Sequence, residues 1–132
     1  MNIVRLKENQ VKDVGAAMAR AFFDDPLSIF MFPDESERHQ LRPWHFSTFL
    51  RFGCLFGEAF TTEELNSAAV WYSPGQGEIR PGRIVKVGFD KAPDILGAQA
   101  WKRFIEVDMF IERYYSRLAC EPHWYFIHSP SG

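Results

Sequence analysis

Two residues of this 132-residue chain stand where a proton could be taken from a reacting group: Glu58, at the start of a predicted strand, and His128, near the C-terminus. A carboxylate tuned by its surroundings can act as general base, and imidazole titrates close to neutral pH. Each also has a plainer reading, Glu58 as a solvated carboxylate at a strand end and His128 as a frayed residue close to the terminus. Asp24 and Asp25 are adjacent, so they point differently. With Pro26 they end one helix and cap the segment that follows, because the residue before proline is pushed out of helical geometry.

Metal chemistry is not expected. His123 and His128 fall on opposite faces of a strand, and His39 and His45, six apart, do not share a helical face. The two cysteines, Cys54 and Cys120, match no zinc spacing and are too few for a disulfide framework. Both lie in apolar helical patterns and read as packed thiols. Nucleotide motifs fail as well. Gly75-Gln76-Gly77-Glu78-Ile79-Arg80 is only the front of a G-x-G-x-x-G pattern, and Pro81-Gly82 follows it instead of a clean helix start.

The elements that must position these residues follow from periodicity. Asn2 to Leu6 alternate weakly and suit a first strand. Val11, Val14, Met18, Ala21 and Phe22 recur in steps of three and four, which is one face of a helix. Leu27 to Phe32 reads as an apolar loop. Asp34, with Glu37 three residues on, starts a helix that runs toward Phe56. Phe46, Phe49, Leu50 and Gly53 form its buried stripe, Pro43 should kink or break it, and Gly57 stops it. Ala59–Thr62 and Ala68–Tyr72 pair as a hairpin. Ser73 to Gly77 is a loop. Arg83 to Phe89 is ambiguous, because Ile84, Val85 and Val87 favour a strand locally. Gln99–Leu118 is the clearest helix, with Phe104, Val107, Ile111, Tyr114 and Leu118 on one face. His123 to His128 is an aromatic strand.

Composition bounds the class. Hydrophobic residues make up 46% and charged residues 24%, which fits one folded domain over residues 1–132 and excludes bulk disorder. A chain of this size buries about two thirds of its unfolded surface and needs no staple. The 13 phenylalanines point to a Phe-rich core or an apolar pocket. Lys and Arg number 15 against 17 Asp and Glu, so the basic surplus of a nucleic-acid binder is missing. No apolar run approaches a membrane span, and the N-terminus lacks a signal-peptide core. Neither nucleic acid nor membrane is an expected partner, and the expected location is the cytoplasm. The element order gives an α+β, or mixed α/β, fold class.

Three islands carry a family resemblance. The first is Ala21-Phe22-Phe23-Asp24-Asp25-Pro26 with Phe32-Pro33-Asp34. The second is Ala69-Val70-Trp71-Tyr72-Ser73-Pro74-Gly75. The third is Glu121-Pro122-His123-Trp124-Tyr125-Phe126. Together and in this order they resemble the N-terminal part of the GCN5-related N-acetyltransferase (GNAT) superfamily. The resemblance implies a partial GNAT-like fold, helices flanking a mixed sheet, with acetyl-CoA as cofactor and a small-molecule or peptide amine as acceptor. It implies a helix over Arg83 to Phe89. It also implies that Phe23, Asp25, Phe30 and Phe32 line the acceptor pocket. Trp71 is counted with them, although burial in the core explains Trp71 and Trp124 without any ligand.

In the family a glycine loop after the strand of the third island opens a helix and holds the cofactor pyrophosphate through backbone N–H groups. Here Ser129-Pro130-Ser131-Gly132 follows the strand, and Pro130 has no N–H to donate. No cofactor-binding residue is therefore assigned. The expectation is a truncated acetyltransferase domain with negligible turnover as this chain alone. The alternative is a non-catalytic dimerisation or binding module, a homodimer paired through the edge strand Trp124 to His128.

Overall fold

The computed structural model describes residues 2–73, 75–76, 78, 80–118 and 125–128, with residues 111–118 and 125–128 described as backbone. Along the chain run β1 (Ile3–Arg5), a 3₁₀ turn (Glu8–Gln10), α1 (Val11–Ala21), α2 (Pro26–Met31) and α3 (Glu35–Phe56). The hairpin β2 (Glu58–Thr62) and β3 (Ala68–Tyr72) comes next, then α4 (Pro81–Val87), a 3₁₀ turn (Phe89–Lys91), α5 (Ala92–Leu96), α6 (Ala98–Leu118) and β4 (Tyr125–His128). The fold class is α+β, as the element order predicts.

The sheet order is β1-β2-β3-β4. Every described pairing is antiparallel, which corrects the expected mixed sheet. The reason lies in the connections: each returns the chain to the end of the sheet that it left. The β2–β3 turn is closed by Thr61 Oγ1 donating to Ser67 O at 2.7 Å, with Leu65 in the left-handed region at φ 57°. Alternation gives the sheet two unlike faces. Ala59, Ala68, Val70 and Tyr72 are buried against α1 and α3, whereas Trp71 turns to the opposite, more open face.

Helix α3 divides the interior in two. Its C-terminal half joins α1 and the sheet in one core, built on Val14, Met18, Leu50 and Val70. Its N-terminal half meets α2, α5 and α6 in a second core, built on Met31, Phe32, Leu96 and Ala100, with Trp44, Phe89, Trp101 and Phe104 at its edge. Full burial of a Phe, Leu or Met contributes about 1.5–3 kcal/mol each. The α1–α3 crossing is close because Gly15 has no side chain. A Cβ there would stand 2.3 Å from Ser47 Oγ and 3.0 Å from its backbone nitrogen.

Two local expectations change, and a third segment, ambiguous by periodicity, takes the helix that the resemblance implies. Leu27 to Phe32 is not a loop, because Asp25 caps it and Pro26 opens it, and a short helix results. Pro43 does not break α3, which runs through it uninterrupted. The carbonyl it leaves without a donor belongs to His39, an exposed residue within reach of water. Arg83–Val87 is helical, against its local β preference, because Pro81 starts the turn and Gly88, at φ 81°, ends it. The Asp34 cap is found as read, its carboxylate accepting from Glu37 N at 2.9 Å. Phe104 and Val107 of α6 pack on the second core as their spacing predicts. The side chains of Ile111, Tyr114 and Leu118 lie outside the described residues, as do Cys120 and positions 121–124 of the third island.

Candidate functional site: the arginine-pinned segment 23–33

The segment from Phe23 to Pro33 joins α1 to α3, and two arginines of α3 hold it from beneath. Residues 38, 42 and 45 recur at steps of four and three, so they share one face of α3. That face carries Arg38 and Arg42, turned toward the segment, and His45, which meets Arg42 and the Phe104 ring of α6. Arg38, 7% exposed, donates from Nε to Phe32 O at 2.9 Å and from Nη2 to Pro33 O at 3.2 Å. Its Nη1 reaches Phe23 O at 3.4 Å, and its guanidinium lies over the Phe23 ring, 4.7 Å from the centroid. One planar fork thus ties both ends of the segment. Lysine, a single point donor, could not do this.

Arg42, 5% exposed, donates from Nε to Ser28 Oγ at 2.8 Å and from Nη1 to His45 Nδ1. It lies 4.2 Å over the Phe46 ring. Among the described residues no carboxylate comes within ion-pair distance of it. Burial therefore lowers its pKa from the ordinary arginine value to about 10, with nearby Asp25 opposing the shift, and it stays charged at pH 7.

Because arginine can only donate, His45 must accept at Nδ1 and carry its proton on Nε2. Burial, and then the Arg42 charge, push the His45 pKa down to about 3. A neutral imidazole so weakly basic, with its acceptor nitrogen occupied, is no general base for Ser28. Ser28 and His45 are two of the residue types of a hydrolase relay, but an arginine stands between them and no carboxylate orients the imidazole among the described residues. What the trio can do is hold a loop rigidly and place one dry cation under it.

The predicted site residues fall as follows. Phe23, Asp25, Phe30 and Phe32 are brought into this one segment, but in different roles. Phe23 lies under Arg38, and Asp25 accepts from Leu27 N at 3.0 Å as the α2 cap. Phe32 is fully buried in the second core, while Phe30 faces outward. Trp71 does not join them. It sits across from Glu58 on the sheet face away from α1 and α3, and it is 38% exposed, so the core reading fails too.

Glu58 is engaged by Arg5 Nη1 at 2.7 Å across the β1–β2 pair. His128 is the register partner of Ala69, so β3 stands between the two candidate bases. Cys54 is a half-buried thiol directed at Leu6 O, 3.6 Å away, and burial raises its pKa. Among the described residues no three His, Cys, Asp or Glu side chains converge as metal ligands. No helix among them is long and apolar enough to cross a membrane.

Two of the helix N-termini are unsuited to a pyrophosphate. Helix α3 opens with Asp34, Glu35 and Glu37, which repel an anion, and α4 opens on Pro81, which lacks an N–H. Arg38, Arg42 and Ser28 are the residues that sequence reading missed. Their signal was the 38–42–45 stripe, a basic line on a helix that is otherwise packed. No family model and no curated protein matches the chain.

Proposed function

We propose that this chain carries the N-terminal portion of a GNAT-like N-acetyltransferase domain, one that moves an acetyl group from acetyl-CoA to an amine and turns over negligibly as these 132 residues alone. The observation that carries the reading is the pairing of the second and third islands. Their paired residues stand more than fifty positions apart in sequence, yet Trp71 lies opposite Phe126 and Tyr72 opposite Tyr125 in adjacent strands. The first island is the segment that Arg38 and Arg42 pin. No cofactor-binding residue and no catalytic step is assigned to the described residues.

The test replaces residues 129–132 with a glutamine-led glycine loop and a following helix, then measures CoA thiol release over a panel of amines. The parent chain is expected to release none and the extended chain to release thiol in an amine-dependent way. Turnover by the parent, or silence from a folded extended chain, counts against the reading.

A second reading rests on β4, which ends the sheet order with no further described strand beside it. As a dimerisation module, the chain would pair two such edges, burying the Trp124 to His128 strand. Light scattering that finds a monomer at micromolar concentration would remove it.

A further inference from the structure

Helix α2 is built inside out. At about 100° per residue, Leu27, Phe30 and Ile29 span an arc of about 160° on one side, and Ser28 and Met31 occupy the other. The inner arc holds the one polar side chain, Ser28, fully buried on Arg42. The outer arc holds three large apolar side chains, exposed at 43% for Leu27, 42% for Ile29 and 46% for Phe30. The arginine contacts and the Asp25 cap fix this orientation, so the apolar arc is presented and does not turn away. Singly exposed apolar residues need no explanation, whereas three contiguous ones on a pinned element mark a contact surface.

Charge identifies the partner. From position 24 to position 37 the chain carries Asp24, Asp25, Asp34, Glu35 and Glu37 and no lysine or arginine. Asp24 is 92% exposed at one end of α2, and Asp34 and Glu35 are exposed at the other. Of the nearby cations, Arg38 and Arg42 are buried, with Arg38 Nη1 3.9 Å from Asp24 Oδ1, and the half-buried Arg103 is occupied with Met31 O at 3.4 Å. Asp34 and Glu35 are therefore the exposed carboxylates with no arginine or lysine paired to them among the described residues. An apolar arc with acid at both ends repels an anionic lipid surface, and it repels a second copy of itself.

We propose that the outer arc of α2 docks a basic, apolar peptide segment of another protein. Leu27, Ile29 and Phe30 pack on its apolar side chains, and the flanking carboxylates face its lysines or arginines. The proposal needs no acetyl-CoA and does not depend on the transferase reading.

The probe is a short fluorescein-labelled peptide of alternating lysine and leucine, followed by anisotropy, with a glutamate–leucine peptide as control. Saturable binding of the first only is expected. It should weaken about tenfold in the Ile29→Ser/Phe30→Ser variant, checked for folding by circular dichroism, and weaken again in high salt, which screens the carboxylates. If that variant does not fold, Asp24→Lys takes its place, with several-fold weakening expected. Equal binding of both peptides overturns the proposal, as does unchanged binding by the variants. So does sedimentation with phosphatidylserine vesicles that the Ile29→Ser/Phe30→Ser change abolishes, or self-association lost with the same change.

Discussion

Replacing Arg42 with methionine tests whether the buried arginine stabilises the fold or merely survives in it. Two effects oppose each other. Removing the guanidinium leaves Ser28 Oγ and His45 Nδ1 without their donor, at about 1–3 kcal/mol each. It also removes the cation over Phe46, worth about 1–2 kcal/mol when desolvated. Against this, the cost of burying the charge disappears. The drop in pKa from the ordinary arginine value to about 10 puts that cost at about 3 kcal/mol, since each unit is about 1.4 kcal/mol. The losses exceed the relief by about 2 kcal/mol, so Arg42→Met is expected to be destabilised by that amount. Urea unfolding at pH 7 measures it, and Tm should fall by roughly 6–10 °C. Adding Ser28→Ala to Arg42→Met should recover about 1 kcal/mol, because the unpaired hydroxyl goes too. An Arg42→Met chain as stable as the parent would refute the reasoning, since desolvation would then outweigh the hydrogen bonds.

Other consequences are as direct. His45 has a lower pKa folded than unfolded, so the unfolded chain binds the extra proton. Stability is therefore full above about 6.5 and falls as pH drops toward about 3, by a few kcal/mol. Urea midpoints at pH 7 and pH 4.5 should differ less in His45→Phe than in the parent, and an equal difference would contradict the assignment. Gly15→Ala should cost about 1–3 kcal/mol, because its methyl meets both Ser47 Oγ and the Ser47 backbone; a thermal melt unchanged from the parent would mean that α1 and α3 cross more loosely. Asp34→Ala removes the α3 cap and should cost about 1 kcal/mol by the same urea assay. Arg38→Lys keeps the charge but loses the fork to three carbonyls, so amide exchange across residues 27–33 should speed up while that of the sheet does not.

Some of this was legible in the chain itself. Caps and hairpin turns depend on a few adjacent residues, so Asp34 and the β2–β3 turn could be read directly. The α1 stripe was legible because Val11, Val14 and Met18 all face one core. Helix α2 was not, because Leu-Ser-Ile-Phe-Met-Phe shows no polar side and its single polar residue points inward. Helix α5 is too short to display a period. In α4 the local preference of Ile84, Val85 and Val87 gave way to the Pro81 start and the Gly88 stop. The candidate site split in the same way. The acidic and aromatic residues of the segment stood out by type, but Arg38 and Arg42 resemble solvated charges until α3 is packed. Trp71 shows the converse: an aromatic in a strand reads as core, and only the register places it on the open face.

The most direct test of the proposed function is calorimetric titration of acetyl-CoA into two proteins, the parent chain and the chain extended past His128 by a glycine loop and helix. The account predicts no saturable heat from the parent at millimolar ligand and one site per chain in the extended protein. Saturable binding by the parent, or none by a folded extended chain, would contradict it.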